Sequence, residues 1–194
     1  MNYPNGIKKR KTNNYTNYSN RGMNLENDLN ITNEYYRNMD KAYIYKKPTP
    51  IKIVNVDYKS RKLATINEAY FVEPSTTDYN GIYKGKYIDF EAKETKNKTS
   101  FALDNIHPHQ IIHLRNVINH NGIAFLIVRF TNLDYTFLLM AKDFFDYIDN
   151  NTRKSIPLSY FNEKAHLIKN KLQPRIDYLE IIDKYMEVSH EKEN

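Results

Sequence analysis

The chain contains no cysteine among its 194 residues. That excludes disulfides, zinc–thiolate sites and cysteine nucleophiles together, and it fits a reducing cytoplasm, the compartment expected here. Long apolar runs are also missing. The longest, Ile123 to Val128, is far too short to cross a bilayer, so no membrane partner is expected. The N-terminal stretch is polar and basic with no apolar h-region, which predicts no secretory leader. Acidic residues are absent from positions 1–22, where Lys8, Lys9, Arg10, Lys11 and Arg21 cluster among sparse, aperiodic apolar residues. That stretch reads as a disordered basic arm, able to hold phosphates by charge alone.

What remains is ordinary for one globular domain, with 40% hydrophobic and 27% charged residues. The formal net charge is +6 and the pI about 9.2. A basic balance favours a polyanionic partner, nucleic acid or an anionic membrane surface. The abundance of Lys, Asn, Ile and Tyr, as AT-rich codon usage produces, raises the pI by itself.

Leu25, Leu29 and Tyr36 share one face at helical spacing, with Met39 close to it, which predicts a helix over 23–39. Pro48 and Pro50 end it. Strand-like runs follow at Ile51–Tyr58 and Ala64–Val72, joined by the basic link Lys59-Ser60-Arg61-Lys62. A loop spans Ser75–Gly81, and a third strand covers about Lys86–Lys93. A helix starts near Pro108 and stops at Asn121-Gly122. Strands at Ile123–Phe130 and Tyr135–Met140, a short helix at Ala141–Ile148 and an amphipathic helix near Pro174–Met186 complete the order. This alternation predicts an α/β domain over 23–194 with a mixed central β-sheet flanked by helices.

The chemistry concentrates in Tyr87-Ile88-Asp89-Phe90-Glu91-Ala92-Lys93. Side chains alternate faces on a strand. Ile88, Phe90 and Ala92 therefore point into a core, and Asp89, Glu91 and Lys93 point the other way. Phosphodiester cleavage needs an activated water and a stabilised pentacovalent phosphate. Mg²⁺ held by carboxylates supplies both, and a neighbouring lysine neutralises the developing charge. Asp78, in the turn Ser75–Gly81, is the candidate second carboxylate, because a short hairpin would bring it beside Glu91. Acid-x-lysine is a weak signal, since Asp57-Tyr58-Lys59 and Glu94-Thr95-Lys96 also match it. Only the middle copy has an apolar inner face and an upstream acid in a turn. Read alone, it is also compatible with a cross-strand ion pair worth little. His109 and His113 stand at i, i+4 on the expected helix, but no HExxH pattern or third ligand accompanies them.

Thr76-Thr77-Asp78-Tyr79-Asn80-Gly81 followed by Tyr87-Ile88-Asp89-Phe90-Glu91-Ala92-Lys93-Glu94-Thr95 resembles the signature of RecU-type Holliday junction resolvases, members of the PD-(D/E)xK nuclease superfamily. Asn20-Arg21-Gly22-Met23 with Glu26, then Phe101, His107-Pro108-His109-Gln110 and Gly122-Ile123-Ala124, match in the same order over roughly 20–186. Thr77 stands where the superfamily has proline. The resemblance implies a restriction-endonuclease-like core with a projecting β stalk at about 58–72. It implies Mg²⁺, with Mn²⁺ as a substitute, surrounded by Thr76, Asp78, Glu91 and Gln110. Lys93 would stabilise the transition state, and Glu26 would sit in the outer shell. On the stalk, Lys59, Arg61 and Lys62 would bind phosphate and Tyr70 and Phe71 would pack against exposed bases; Arg21 would add a further DNA contact. The expected function is paired, symmetric incision of four-way DNA junctions by a homodimer, with a RecA-type recombinase and a RuvAB branch-migration complex as further partners. The alternatives are another nuclease of the superfamily and a non-catalytic DNA-binding modulator of recombination.

Overall fold

The computed structural model describes residues 24–60, 62–72 and 76–193, without the side chains of 189–193. The basic arm expected over 1–22, Arg21 and Arg61 lie outside the described residues.

Helix α1 (Leu25–Asn38) begins where Asn24 Oδ1 accepts the Asn27 N–H at 2.9 Å. Glu26 and Asp28 in its first turn and Arg37 in its last suit the helix dipole. Met39 is its C-cap and is 56% exposed, so the buried stripe ends at Tyr36. Asp40 then takes a positive φ and turns the chain into β1 (Tyr43–Lys46), a strand not expected from the sequence.

Next come β2 (Ile51–Asp57) and β3 (Thr65–Phe71), which pair only with each other and are exposed along their whole length. The stalk expected at about 58–72 falls on this two-stranded hairpin. The hairpin starts at Ile51, earlier than expected, because β2 pairs with β3 from Ile51↔Phe71 to Asp57↔Thr65.

The chain returns through β4 (Tyr79–Tyr83) and β5 (Lys86–Thr95), an antiparallel hairpin closed by Lys84 and Gly85, both at positive φ. Two such residues make the turn whose twist matches that of the flanking strands. A Cβ on Gly81 would run into the Tyr43 carbonyl and Ile44, which explains a glycine where β1 pairs with β4. After β6 (Ser100–Ala102) and a short 3-10 turn, α2 (Pro108–Asn119) crosses over to β7 (Ile123–Phe130), parallel to β5. Then come β8 (Tyr135–Met140), α3 (Ala141–Asn150), β9 (Ser155–Pro157), α4 (Leu158–Lys164), β10 (His166–Leu167) and α5 (Leu179–Glu193). The tail helix starts at Leu179, not Pro174, because Ile176 and Tyr178 are buried at two-residue spacing in an extended segment.

The main sheet has the order β1-β4-β5-β7-β8-β10, mixed in direction and covered by helices, as expected. Alternation along β7 splits the core in two. Ile123, Phe125 and Ile127 join Leu25, Leu29 and Ile182 on one face; Ala124, Leu126 and Val128 join Leu114, Phe144 and Phe161 on the other. Tyr79, Phe90 and Phe125 stack across three neighbouring strands at 4.8 and 4.7 Å between ring centroids. That stack fixes the register of β4 on β5, and with it the position of Asp78. Among the described residues no helix is long and apolar enough to cross a membrane.

Candidate active site

Strand pairing Tyr79↔Phe90 places the residue before Tyr79 level with the one after Phe90. Asp78 therefore meets Glu91, and the Asp78 N–H donates to Glu91 Oε2 at 3.1 Å. Lys93 Nζ lies 2.8 Å from Glu91 Oε1. That oxygen is buried and accepts no hydrogen bond of ordinary geometry among the described residues. Helix α2 and its neighbours cover this strand face, so Glu91 and Asp89 are both fully buried, not on a solvated polar face.

Burial, and then the negative charge of Asp78, push the Glu91 carboxyl up to about 7 against the opposing pull of Lys93. Folded Glu91 thus keeps a proton at pH values where the unfolded chain, at its ordinary 4.5, has released it. Folding stability in chelator is therefore expected to fall as pH rises from about 4.5 to about 7, with this contribution flat outside that window. Thermal midpoints across pH check this. Glu91→Gln should flatten the slope within the window, and an unchanged slope would refute the assignment.

Glu26 reaches the same place from α1. A cleft of about 200 Å³ is lined by Glu26, Asp78, Lys93 and Glu94, among others. Glu26 Oε1 pairs with Lys46 Nζ at 2.6 Å on the cleft's exposed rim. Glu94 accepts the Leu25 N–H at 2.9 Å and so ties the start of α1 to the end of β5. Thr76 is half-buried in the loop ahead of Asp78. Gln110 is buried at the start of α2, where its Oε1 accepts the His107 N–H at 2.9 Å. Its carbonyl oxygen has one lone pair left over, so any part at a metal has to share the cap. His107 and His109 stack at 5.4 Å at this helix start.

Sequence reasoning missed the groups that surround Asp89. Burial raises its carboxyl, but hydrogen bonds from His113, Lys47 and Thr77 outweigh that and hold it below the ordinary value. His113 Nε2 lies 3.0 Å from Asp89 Oδ2, so it serves this carboxylate. Lys47 precedes Pro48 in a basic stretch and carried no periodic signal.

A divalent cation fits this donor set. Two carboxylates face each other, one of them is fully buried with the Lys93 ammonium as its nearest charge partner, and their mutual repulsion is what a cation relieves. Among the described residues no three His, Asp or Glu side chains form a metal cluster. A hard ion that keeps several waters suits such a sparse set.

Lys59, Lys62, Tyr70 and Phe71 lie on the hairpin and are exposed, Phe71 to 79%. Both ends of the hairpin emerge beside the site, since β2 follows Lys47 and β3 leads toward Thr76.

The family model described as recombination protein U matches residues 20–184. The protein named Holliday junction resolvase RecU from Oceanobacillus iheyensis is 54% identical over 193 residues, covering 95% of this chain and 98% of that one. The protein of the same name from a Geobacillus species is 56% identical over 171 residues, covering 87% and 85%. Among solved structures, Archaeoglobus fulgidus Hjc, a Holliday junction resolvase, aligns with a TM-score of 0.44 at 13% identity over 74% of this chain and 93% of that one. The match to the family model spans most of the chain and takes in Asp78, Glu91 and Lys93 together, and both relatives are more than half identical to it over the residues that align. This chain belongs to the RecU family.

Proposed function

We propose that this chain is a Mg²⁺-dependent endodeoxyribonuclease that resolves four-way DNA junctions. The observation that carries the reading is the junction of Asp78, Glu91 and Lys93 at one end of the central sheet, where the Asp78 N–H and the Lys93 ammonium converge on the two oxygens of the buried Glu91 carboxylate. The relatives named Holliday junction resolvase support the substrate.

A bound Mg²⁺, or Mn²⁺ in its place, would supply Lewis acidity at the phosphate and a more acidic water. Asp78, Glu91 and Thr76 would hold it, with Gln110 contributing if its cap bond is shared. Asp78 and Glu91 bring negative charge to one side of the scissile phosphate and orient the attacking water. The water oxygen bonds to phosphorus as the P–O3′ bond breaks, which leaves a 5′-phosphate and a 3′-hydroxyl. The Lys93 ammonium donates to the phosphoryl oxygens as their charge grows. Glu26 acts from the outer wall of the cleft, where Lys46 balances its charge.

A four-way junction presents two equivalent strands, and a two-fold homodimer would present two equivalent sites for paired incision. The exposed hairpin suits the open centre of a junction. Lys59 and Lys62 would hold phosphates there, and Tyr70 and Phe71 would stack on bases; Arg21 and Arg61 take the same roles on sequence grounds. A RecA-type recombinase and a RuvAB complex are the proposed protein partners, in the cytoplasm.

Each phosphate contact contributes about one unit to the salt dependence of binding. Lys59→Ala with Lys62→Ala is therefore expected to lower the slope of log Kd against log salt by about two units; an unchanged slope would remove both residues from the interface. Substrate choice tests the function itself. In Mg²⁺ a labelled four-way junction should be cut, and a linear duplex of the same sequence should stay intact. Equal cutting of both would make this a general nuclease of the superfamily.

A further inference from the structure

Lys47 touches the loop that carries Asp78 in two ways and strand β5 in a third. Its backbone N–H donates to the Asp78 carbonyl at 2.7 Å. Its Nζ donates to Thr77 Oγ1 at 3.0 Å and to Asp89 Oδ2 at 2.8 Å. Thr77 Oγ1 in turn donates to Asp89 Oδ1. From the strand side, the Asp78 N–H donates to Glu91 Oε2. The Asp78 residue is thus held at both its N–H and its carbonyl, and the residue before it is tied to a buried carboxylate.

Asp89 is fully buried and already engaged by Thr77, Lys47, Tyr87 and His113. It has no surface to offer a substrate. A buried ion pair is also a poor way to gain stability, since well-packed apolar residues often do as well. Its gain is geometric, because a site works only when its supporting shell locks its reactive groups.

We infer that Lys47 and Asp89, acting through Thr77, are positioning residues that hold the Asp78 carboxylate opposite Glu91 for strand cleavage. The inference rests on the nuclease reading proposed above.

Two substitutions, each removing one hydroxyl, separate positioning from plain stability. Thr77→Val removes the hydroxyl at nearly constant volume and frees the loop from Asp89. Tyr87→Phe removes a different donor from the same carboxylate, at 2.7 Å, and leaves the loop tied. Thr77→Ser restores the hydroxyl. The readouts are single-turnover junction cleavage, junction affinity, thermal midpoint and Mn²⁺ binding by EPR without DNA. Thr77→Val is expected to slow cleavage and weaken Mn²⁺ binding by about 10–100-fold each, the usual cost of losing a supporting contact. Its junction affinity should be unchanged, Thr77→Ser should recover both losses, and Tyr87→Phe should cut like wild type. If Thr77→Val does not fold, Lys47→Met with Lys47→Gln as its rescue carries the same expectation. Wild-type cleavage and Mn²⁺ binding by Thr77→Val would overturn the inference, as would equal losses in Tyr87→Phe. If the wild type itself cuts nothing, the nuclease reading fails, and the Mn²⁺ comparison still decides whether Thr77 positions the carboxylates.

Discussion

The Asp78→Ala protein is expected to bind a four-way junction as tightly as the wild type and to cut it on the order of 10³-fold more slowly, about 4 kcal/mol in the barrier. The two halves of that expectation have separate causes. Asp78 is an acid beside a polyanionic substrate, so its loss removes repulsion and does not weaken binding. Its backbone N–H, which holds Glu91 at 3.1 Å, survives the substitution, so the strand pairing also survives. What disappears is one of the two carboxylates that face the phosphate. Single-turnover rates at saturating enzyme, with affinity measured in parallel, check this. A variant that still cuts at the wild-type rate would remove Asp78 from the chemistry.

Asp28→Ala should strike the fold itself. Asp28 is 1% exposed, and its two carboxylate oxygens meet Arg129 NH1 at 2.8 Å and Arg175 Nε at 3.0 Å. These partners come from β7 and from the segment before α5, so one carboxylate fastens α1 to both. Removing one member of a buried charge cluster leaves the others without their counter-ion and costs about 3–5 kcal/mol. For a domain of this size each kcal/mol lowers the thermal midpoint by about 2–4 °C, so a fall of about 6–20 °C is expected. Calorimetry measures it directly. A midpoint like that of the wild type would mean that the cluster holds nothing together.

The legible part of this protein was the part written in local pattern. Alternation along Tyr87–Lys93 located Glu91 and Lys93, and the nearby turn located Asp78, because a tight β4–β5 hairpin makes near neighbours in sequence near neighbours in space. The buried strand Ile123–Phe130 and the helix from Pro108 carried equally local signals. Strand β1 was missed because it has four residues, only one of them buried, and runs straight into Lys47 and Pro48. The Lys47–Asp89 bond joins residues 42 apart, and no periodicity encodes such a contact. The Asp28 cluster was hidden for the same reason, and Arg129 sat unnoticed in a strand read as nearly continuous apolar. Gln110 was legible as a polar residue in the first turn of α2, but its bond to the His107 N–H depends on the side-chain rotamer, which sequence pattern does not encode.

The most direct test of the account is strand-mapped cleavage of a synthetic four-way junction by the wild-type chain in Mg²⁺, beside the same reaction in chelator. The account predicts incisions at symmetry-related positions on two opposite strands, with 5′-phosphate and 3′-hydroxyl ends, and intact DNA in chelator. Tight binding with every strand left whole, in Mg²⁺ and in Mn²⁺ alike, would contradict it.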